Sequence, residues 1–375
     1  MRRALLLAAL ALATGGCATP GTGGFREAHP DALTDTVAPP RGQRFYGARS
    51  WGSEAQFNPV SLVLNGGFDQ LRTEGGYRHV LEFPYGKMAT NVLHSVGNAE
   101  RALRAYGWSD WLRDEVLPLS TKGEGGGQWV PNYLLHLFAG GMTGVRITEW
   151  YARHGTPHPE VAAFGTVYAW HFLTEMVEHG AGDGRSVDAI TDLLIFDLAA
   201  FFLWRGERVQ RLFSTNVEMT NWPGQPSLTF PGPTLQNMQM TAMVRVRVPG
   251  LEPWRPMSTL GASFLLGLSR RVQGEDWLSL GAGWDPSENP VIDPATGKKT
   301  VVLNPNAGLF WDREGSLLAS LIVRANRTER VLLNVYPGVV RVAGYSPGLS
   351  AQWLARDGWR FGVSTTWGIG VGTER

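Results

Sequence analysis

Two periods of apolar residues divide the chain. From Asn132 to Phe213, apolar residues run nearly all round three helix-length segments: NYLLHLFAGGMTGVRITEWYARHG, PHPEVAAFGTVYAWHFLTEMVEHG and RSVDAITDLLIFDLAAFFLWRGERVQRLF. A few ionisable residues interrupt each at helical spacing, and a helix of this kind is buried with its polar stripe turned to a partner or a wet cavity. Beyond Phe213 the period changes to apolar/polar alternation. Strand-length runs follow one another between turn residues: NMQMTAMVRVRV, STLGASFLLGLSRRV, DWLSLGAGW, TVVLNPNAGLFW, GSLLASLIVRAN, ERVLLNVYPGV, PGLSAQWLAR and GWRFGVSTTWGIGVG. Polar residues at every second position with aromatics near the ends are what a membrane barrel requires. In lipid such a sheet must close on itself, and a barrel of this size is filled by side chains. A water-soluble β-sandwich would also alternate.

The predicted fold class is therefore α+β. A module of about three apolar helices (132–214) precedes an antiparallel β-barrel of about eight strands (215–375). Upstream, residues 1–17 read as a signal peptide and 18–60, rich in Gly, Pro, Thr and Ala, as a tether. Residues 61–131 read as an amphipathic lead-in. Within it, 61–83 predict one or two short strands, 88–119 an amphipathic helix with Trp108 and Trp111 on one face, and 121–131 a linker.

Composition sharpens this picture. The 375 residues carry a net charge of +1, which gives no electrostatic case for nucleic acid as a partner. The 15 tryptophans suit a water–lipid boundary. Cys17 is the one cysteine, so no intrachain disulfide forms. It ends MRRALLLAALALATGGC, two arginines, an apolar run and small residues, which is an export signal. The end of that stretch resembles the bacterial lipoprotein signal, with Thr14 where Leu is usual. The resemblance implies a covalent lipid on Cys17 and, with Ala18 following, sorting to the outer membrane. An ordinary cleaved signal with an incidental cysteine is the other reading. An inner-membrane location for the three helices fits less well, since a span needs about 20 uninterrupted apolar residues and these carry interior charges.

The candidate chemistry lies on the three helices. His136, Gly140 and Thr143 share a face of the first, while His171, Glu175 and His179 sit at i, i+4, i+8 on the second with Glu178 beside them. Asp188 and Asp192 are four apart on the third. If the stripes converge, His136, Glu175 and Asp192 form one polar cluster, with His136 as base and the carboxylates orienting it. His171, Glu175 and His179 are a candidate divalent-metal set, although the order HExxH is missing. Asp188, Glu178 and His179 also have bland readings as residues placed for the helix dipole. On a wheel of 100° per residue Asp197 falls opposite Asp188, so it is expected outside the cluster.

The central stretch resembles a helical module shared by VanZ-like proteins, a YfiM-like family of small outer-membrane lipoproteins, and an uncharacterised family that joins the module to a barrel. The matching positions are Asn132 and His136 with Gly140 and Gly141, Glu175 in HFLTEMVEH, and Ser186, Asp188 and Asp192 in RSVDAITDLL. The third helix departs from the pattern, with Asp197 and Leu198–Phe202 where relatives carry glycines. The resemblance covers about 80 residues and implies a site more than an activity.

Two functions follow as expectations. One is an outer-membrane lipoprotein with a structural or binding role, its partners membrane lipid and envelope glycan or protein. The other is a membrane-associated hydrolase of envelope lipid or glycan acting through His136, Glu175 and Asp192. No GxSxG occurs, and the barrel-like region contains no histidine, so a hydrolase with its base on the barrel is disfavoured.

Overall fold

The computed structural model describes residues 44–72, 79–118, 130–180, 187–230, 234–261, 263–287, 302–325, 329–355, 358–366 and 369–374. Cys17, the signal-like stretch, residues 18–43 and Ser186 lie outside them. The described chain is α+β: helices over its first half and a sheet of 13 strands over the second.

Asn58 starts the first helix, α1 (Pro59–Gly67), where short strands were expected. Its side chain accepts the Ser61 N–H at 2.9 Å and Pro59 fills the first turn, so a strong start signal outweighs the weak alternation that follows. The amphipathic stretch forms α2 (Tyr85–Gly97), α3 (Ala99–Tyr106) and α4 (Trp108–Trp111), the last running on as a π-helical turn over Leu112–Val116. The three central segments are helical as expected, with interruptions. The first is π-helical over Val130–Gly140 and continues as α5 (Gly141–Arg153). The second is α6 (Pro159–His179). The third is α7 (Asp188–Thr191), a π-helical turn over Asp192–Phe196, and α8 (Asp197–Leu203). Among the described residues no helix is long and apolar enough to cross a membrane.

The strands are β1 (Met219–Asn221), β2 (Ser227–Phe230), β3 (Leu235–Gln236), β4 (Thr241–Arg245), β5 (Trp254–Gly261), β6 (Phe264–Gln273), β7 (Asp276–Ser287), β8 (Val302–Arg313), β9 (Ser316–Arg324), β10 (Glu329–Val335), β11 (Gly348–Leu354), β12 (Gly358–Ser364) and β13 (Gly370–Glu374). Their order is β1-β4-β5-β6-β7-β8-β9-β10-β11-β12-β13-β2-β3, antiparallel throughout except for β13 with β2. The expectation of eight strands is thus corrected to 13. Two of the eight runs hide a turn between apolar flanks, one separating β5 from β6 and one separating β12 from β13, and β1–β3 precede the first run. Among the described residues no ladder joins β1 to β3, so the assigned ladders leave the sheet open there. β1 and β2 do lie on one stretch of chain and β3 and β4 on the next. Between their ladders Trp222 N–H donates to Thr241 O and Gly224 N–H to Gln239 O, each at 2.7 Å.

The two faces of this sheet are reversed relative to a soluble one. On β7, Leu278, Leu280 and Trp284 are exposed while Ser279 and Asp285 are buried; on β12, Trp359, Phe361 and Val363 are exposed while Arg360 and Ser364 are buried. Leu280 and Val371 each keep 63% of their surface exposed. The inner face carries a cross-linked polar network beside a buried apolar cluster that includes Trp222, Met257, Leu265, Phe310 and Leu332: Arg324 Nε lies 2.6 Å from Asp285 Oδ2, Arg245 Nη2 donates to Asp312 Oδ1 at 2.6 Å, and Asn306 Nδ2 donates to Asp285 Oδ1 at 2.6 Å. Residues 51–58, expected as the end of a tether, are packed onto that interior. Gln56 Nε2 donates to Ser364 Oγ at 2.7 Å, Gly52 N–H to Pro337 O at 2.7 Å, and Trp51 is buried against Leu318.

The helices cover the outer face at one side of the sheet. Ala139, Met142 and Trp204 pack with Phe45, Met219 and Ala242, and Val244 and Leu260 border the same cluster. Gly141 permits this approach: a Cβ there would lie 2.1 Å from the Trp204 ring. Polar ties complete the junction. Asn221 Nδ2 donates to Thr143 Oγ1 at 2.7 Å, and the Glu149 carboxylate accepts the N–H groups of Arg44, Phe45 and Tyr46 at 2.7, 2.9 and 2.7 Å.

Candidate functional site

Four polar side chains meet between the π-helical run of the first segment, α6 and the third segment. Asp197 Oδ1 stands at the centre, 3.0 Å from His136 Nδ1 and 2.6 Å from His171 Nδ1. His136 Nε2 lies 3.4 Å from Asp192 Oδ2. The two imidazole centroids are 4.5 Å apart, and all four residues are buried. Gly140 lies against His171, where a Cβ would come within 3.1 Å of the ring. That close approach is a physical reason for a small residue one turn after His136.

Asp197 is the residue the wheel misplaced. The wheel assumes 100° per residue throughout, but Asp192–Phe196 is π-helical, with bonds from i to i+5. The wider turn brings residue i+5 back over residue i, so Asp197 returns to the face of Asp192. A carboxylate that caps both imidazoles was therefore invisible to a regular period. His171, assigned to a metal set on its own helix face, instead faces Asp197.

The rest of the expected cluster is divided. Glu175 is buried but lies beside His179, whose Nδ1 hydrogen-bonds the Glu175 backbone O at 2.9 Å and stands 3.4 Å from Oε2. The expected trio of His136, Glu175 and Asp192 is thus corrected to His136, Asp192, Asp197 and His171. Glu178 Oε2 accepts from Gln70 Nε2 at 3.5 Å, away from the imidazoles. Asn132 is buried and donates to Glu115 O at 2.7 Å, tying the π-helical run to the end of the amphipathic stretch. Trp111 Nε1 donates to Thr191 Oγ1 at 2.8 Å and braces α7 in the same way. Among the described residues two donor sets converge closely enough to hold a cation: His136, His171 and Asp197, and Glu175, His179 and Asp188. The proposed set of His171, Glu175 and His179 does not converge, because residues at i and i+8 stand two turns apart.

The charges settle as one ion pair. Burial alone would lower the His136 imidazole, but the Asp192 and Asp197 carboxylates outweigh it and hold it at about 9. Burial would raise Asp197, but His171 and His136 outweigh it and hold it down at about 2. Burial lowers His171, and His136 adds to that against the pull of Asp197. Burial, opposed by His136 and reinforced by Asp188 and Asp197, pushes Asp192 up to about 8. Burial and the neighbouring Asp188 and Asp192 raise Glu175 as well. Near neutral pH the centre is thus His136 cation, Asp197 anion, and neutral His171 and Asp192. Since Asp197 accepts from both rings, each Nδ1 carries its proton.

A pH dependence follows from these directions. His136 contributes stability that is complete below its unfolded value of about 6.5 and is lost as pH rises through about 9. Asp192 and Glu175, protonated in the fold and ionised in the unfolded chain, disfavour the fold progressively above about pH 4. Asp197 contributes stability that is lost only as pH falls from about 4 through about 2. The helical melting temperature, followed by circular dichroism, is expected to fall by several degrees between about pH 6 and about pH 9, and His136→Ala is expected to flatten that slope. A wild-type melting point unchanged over this interval would contradict the assignment.

Comparison with known proteins adds nothing to this geometry: no model of a known family, no characterised protein and no solved structure matches the chain.

Proposed function

We propose that the protein is a membrane-embedded β-barrel protein of the bacterial outer envelope, with a structural or binding role, whose helical module is held together by the His136–Asp197–His171 network and packs against one side of the barrel wall through Met142, Trp204 and Thr143. The observation that carries this reading is the reversed sheet. Exposed Leu, Val, Phe and Trp occupy one face of β6–β12 while Ser, Asn, Asp and Arg are buried on the other together with a small apolar cluster, and an apolar exposed face is what lipid selects and water penalises. Closure of the wall belongs to the proposal. It is supported by the return of the strand order to its first hairpin, because β13 pairs with β2 while β4, on the other arm, pairs with β5. The lipoprotein-type signal, the lipid on Cys17 and the kinship with VanZ-like and YfiM-like modules are consistent with this reading and remain part of the proposal.

Hydrolysis through His136 is less well supported. An imidazole held cationic near neutral pH, with both ring nitrogens facing carboxylates, is a poor proton acceptor. Its neighbours instead give it the geometry of a buried ion pair that fixes three helices to one another.

The test is refolding of the full chain into vesicles of phosphatidylcholine brominated along the acyl chains. Trp284, Trp353 and Trp359, all on the outer face, are expected to be strongly quenched relative to unbrominated vesicles. Replacing all three with Phe is expected to remove much of the quenching. A folded protein with unquenched tryptophans would overturn the membrane reading.

A further inference from the structure

The end of α6 and the start of α7 bring together three side chains that the His136–Asp197–His171 network does not use. An oxygen of Glu175, a ring nitrogen of His179 and an oxygen of Asp188 all lie within 4.8 Å of one another. Ligand atoms about 2.0–2.2 Å from a shared ion stand no more than about 4.4 Å apart, so little rearrangement closes the set. Glu175 and His179 are one helical turn apart on α6, and Asp188 is the first residue of α7.

Glu175 is the member that calls for a cation. It is 1% exposed, and its Oε2 has no hydrogen-bond partner. His179 Nδ1, 3.4 Å from Oε2, gives its proton instead to Glu175 O at 2.9 Å. That bond fixes the tautomer and leaves the ring's lone pair on Nε2, the neutral form in which imidazole binds a metal. The charges that act most strongly on Glu175 are all carboxylates: Asp188, Asp192, Glu178 and Asp197. A buried carboxylate oxygen without a donor, set among like charges, is unfavourable unless a proton or a cation completes it. The negative end of the α6 dipole, where His179 is the last residue, favours a cation at this place. The other convergent set is the poorer cation site, because Asp197 Oδ1 already takes the Nδ1 proton of both His136 and His171.

We propose that Glu175, His179 and Asp188 hold a divalent transition-metal ion of the zinc type, with one imidazole and two carboxylate ligands. Three protein ligands of this kind leave a fourth position to water. The ion takes the place of the proton that burial keeps on Glu175, and that proton passes to solvent. Magnesium and calcium, which favour shells of oxygen alone, suit the imidazole less. Bound there, the ion ties the end of α6 to the start of α7.

The test is zinc titration of the full chain, solubilised in a non-ionic detergent and stripped with a chelator, against a fluorescent zinc indicator. One zinc ion per chain is expected to bind, and zinc is expected to raise the melting temperature. His179→Ala and Asp188→Asn, at half-buried positions, are each expected to weaken binding by about tenfold or more, since even a change beyond the ligands costs that much. Glu175→Gln, which keeps the shape and loses the charge, is expected to do the same. The His179 and Asp188 variants decide the matter if Glu175→Gln fails to fold. His94→Ala, on the exposed face of α2, is expected to change nothing. Absence of saturable zinc binding, zinc displaced by equimolar magnesium, or affinity unaltered in the folded His179 and Asp188 variants would overturn the proposal. Affinity lost through His171→Ala but kept in those two variants would place the ion in the other set and overturn it equally.

Discussion

Asp197→Ala is expected to destabilise the helical module by about 3–5 kcal/mol, the cost of leaving a buried ionic group without its partner. Removal of this carboxylate takes the hydrogen-bond acceptor from both His136 Nδ1 and His171 Nδ1. It also removes one of the two carboxylates that hold the His136 imidazole up, so that ring is expected to fall from about 9 towards its ordinary value, with Asp192 still opposing burial. Asp197→Asn, which keeps the shape and one acceptor, is expected to lose less. Urea titration followed by helical circular dichroism measures the first effect, and imidazole proton resonances followed against pH measure the second. A loss below about 1 kcal/mol in the alanine variant would mean that packing alone positions the three helices.

Leu280→Arg is expected to cost about 2–4 kcal/mol of folding stability in vesicles, as a cation on the lipid-facing side of a membrane strand does near the bilayer midplane. Leu280 is exposed at the middle of β7, whereas its neighbour Ser279 is buried and exchanges a hydrogen bond with Ser269 at 2.7 Å. The same substitution on a water-facing surface would change stability by no more than about 0.5 kcal/mol and would improve solubility. Equilibrium unfolding in urea, in the presence of phosphatidylcholine vesicles, separates the two. An arginine tolerated at this position would place the outer face in water and remove the basis of the membrane reading.

Much of the fold was legible because it depends on local period. The three apolar segments announce helices through their spacing, and the alternation after Phe213 announces strands. Where the local signal was weak or hidden, the reading failed. Asn58 and Pro59 start a helix that the following residues disguise, and the turn separating β5 from β6 lies between apolar flanks that read as one run. The polar centre was only half legible. His136 and Asp192 stood out as isolated polar residues on apolar helices and do lie together. Asp197 did not, because a π-turn shifts every residue after it on the wheel. The burial of Arg146 on α5 carried no signal at all, since an arginine on a helix is ordinarily a solvated one.

The sequence by itself determined that the central segments are helical, that the later ones alternate, and that the alternation gathers apolar residues mainly on one face of the sheet. Those properties follow from side chains a few residues apart, whose relation the backbone geometry fixes. Only the tertiary structure decided that the apolar face points outward and that Asp197 serves two histidines. Each of these depends on elements far apart in the chain packing face to face, and period along the chain carries no information about which face meets which neighbour.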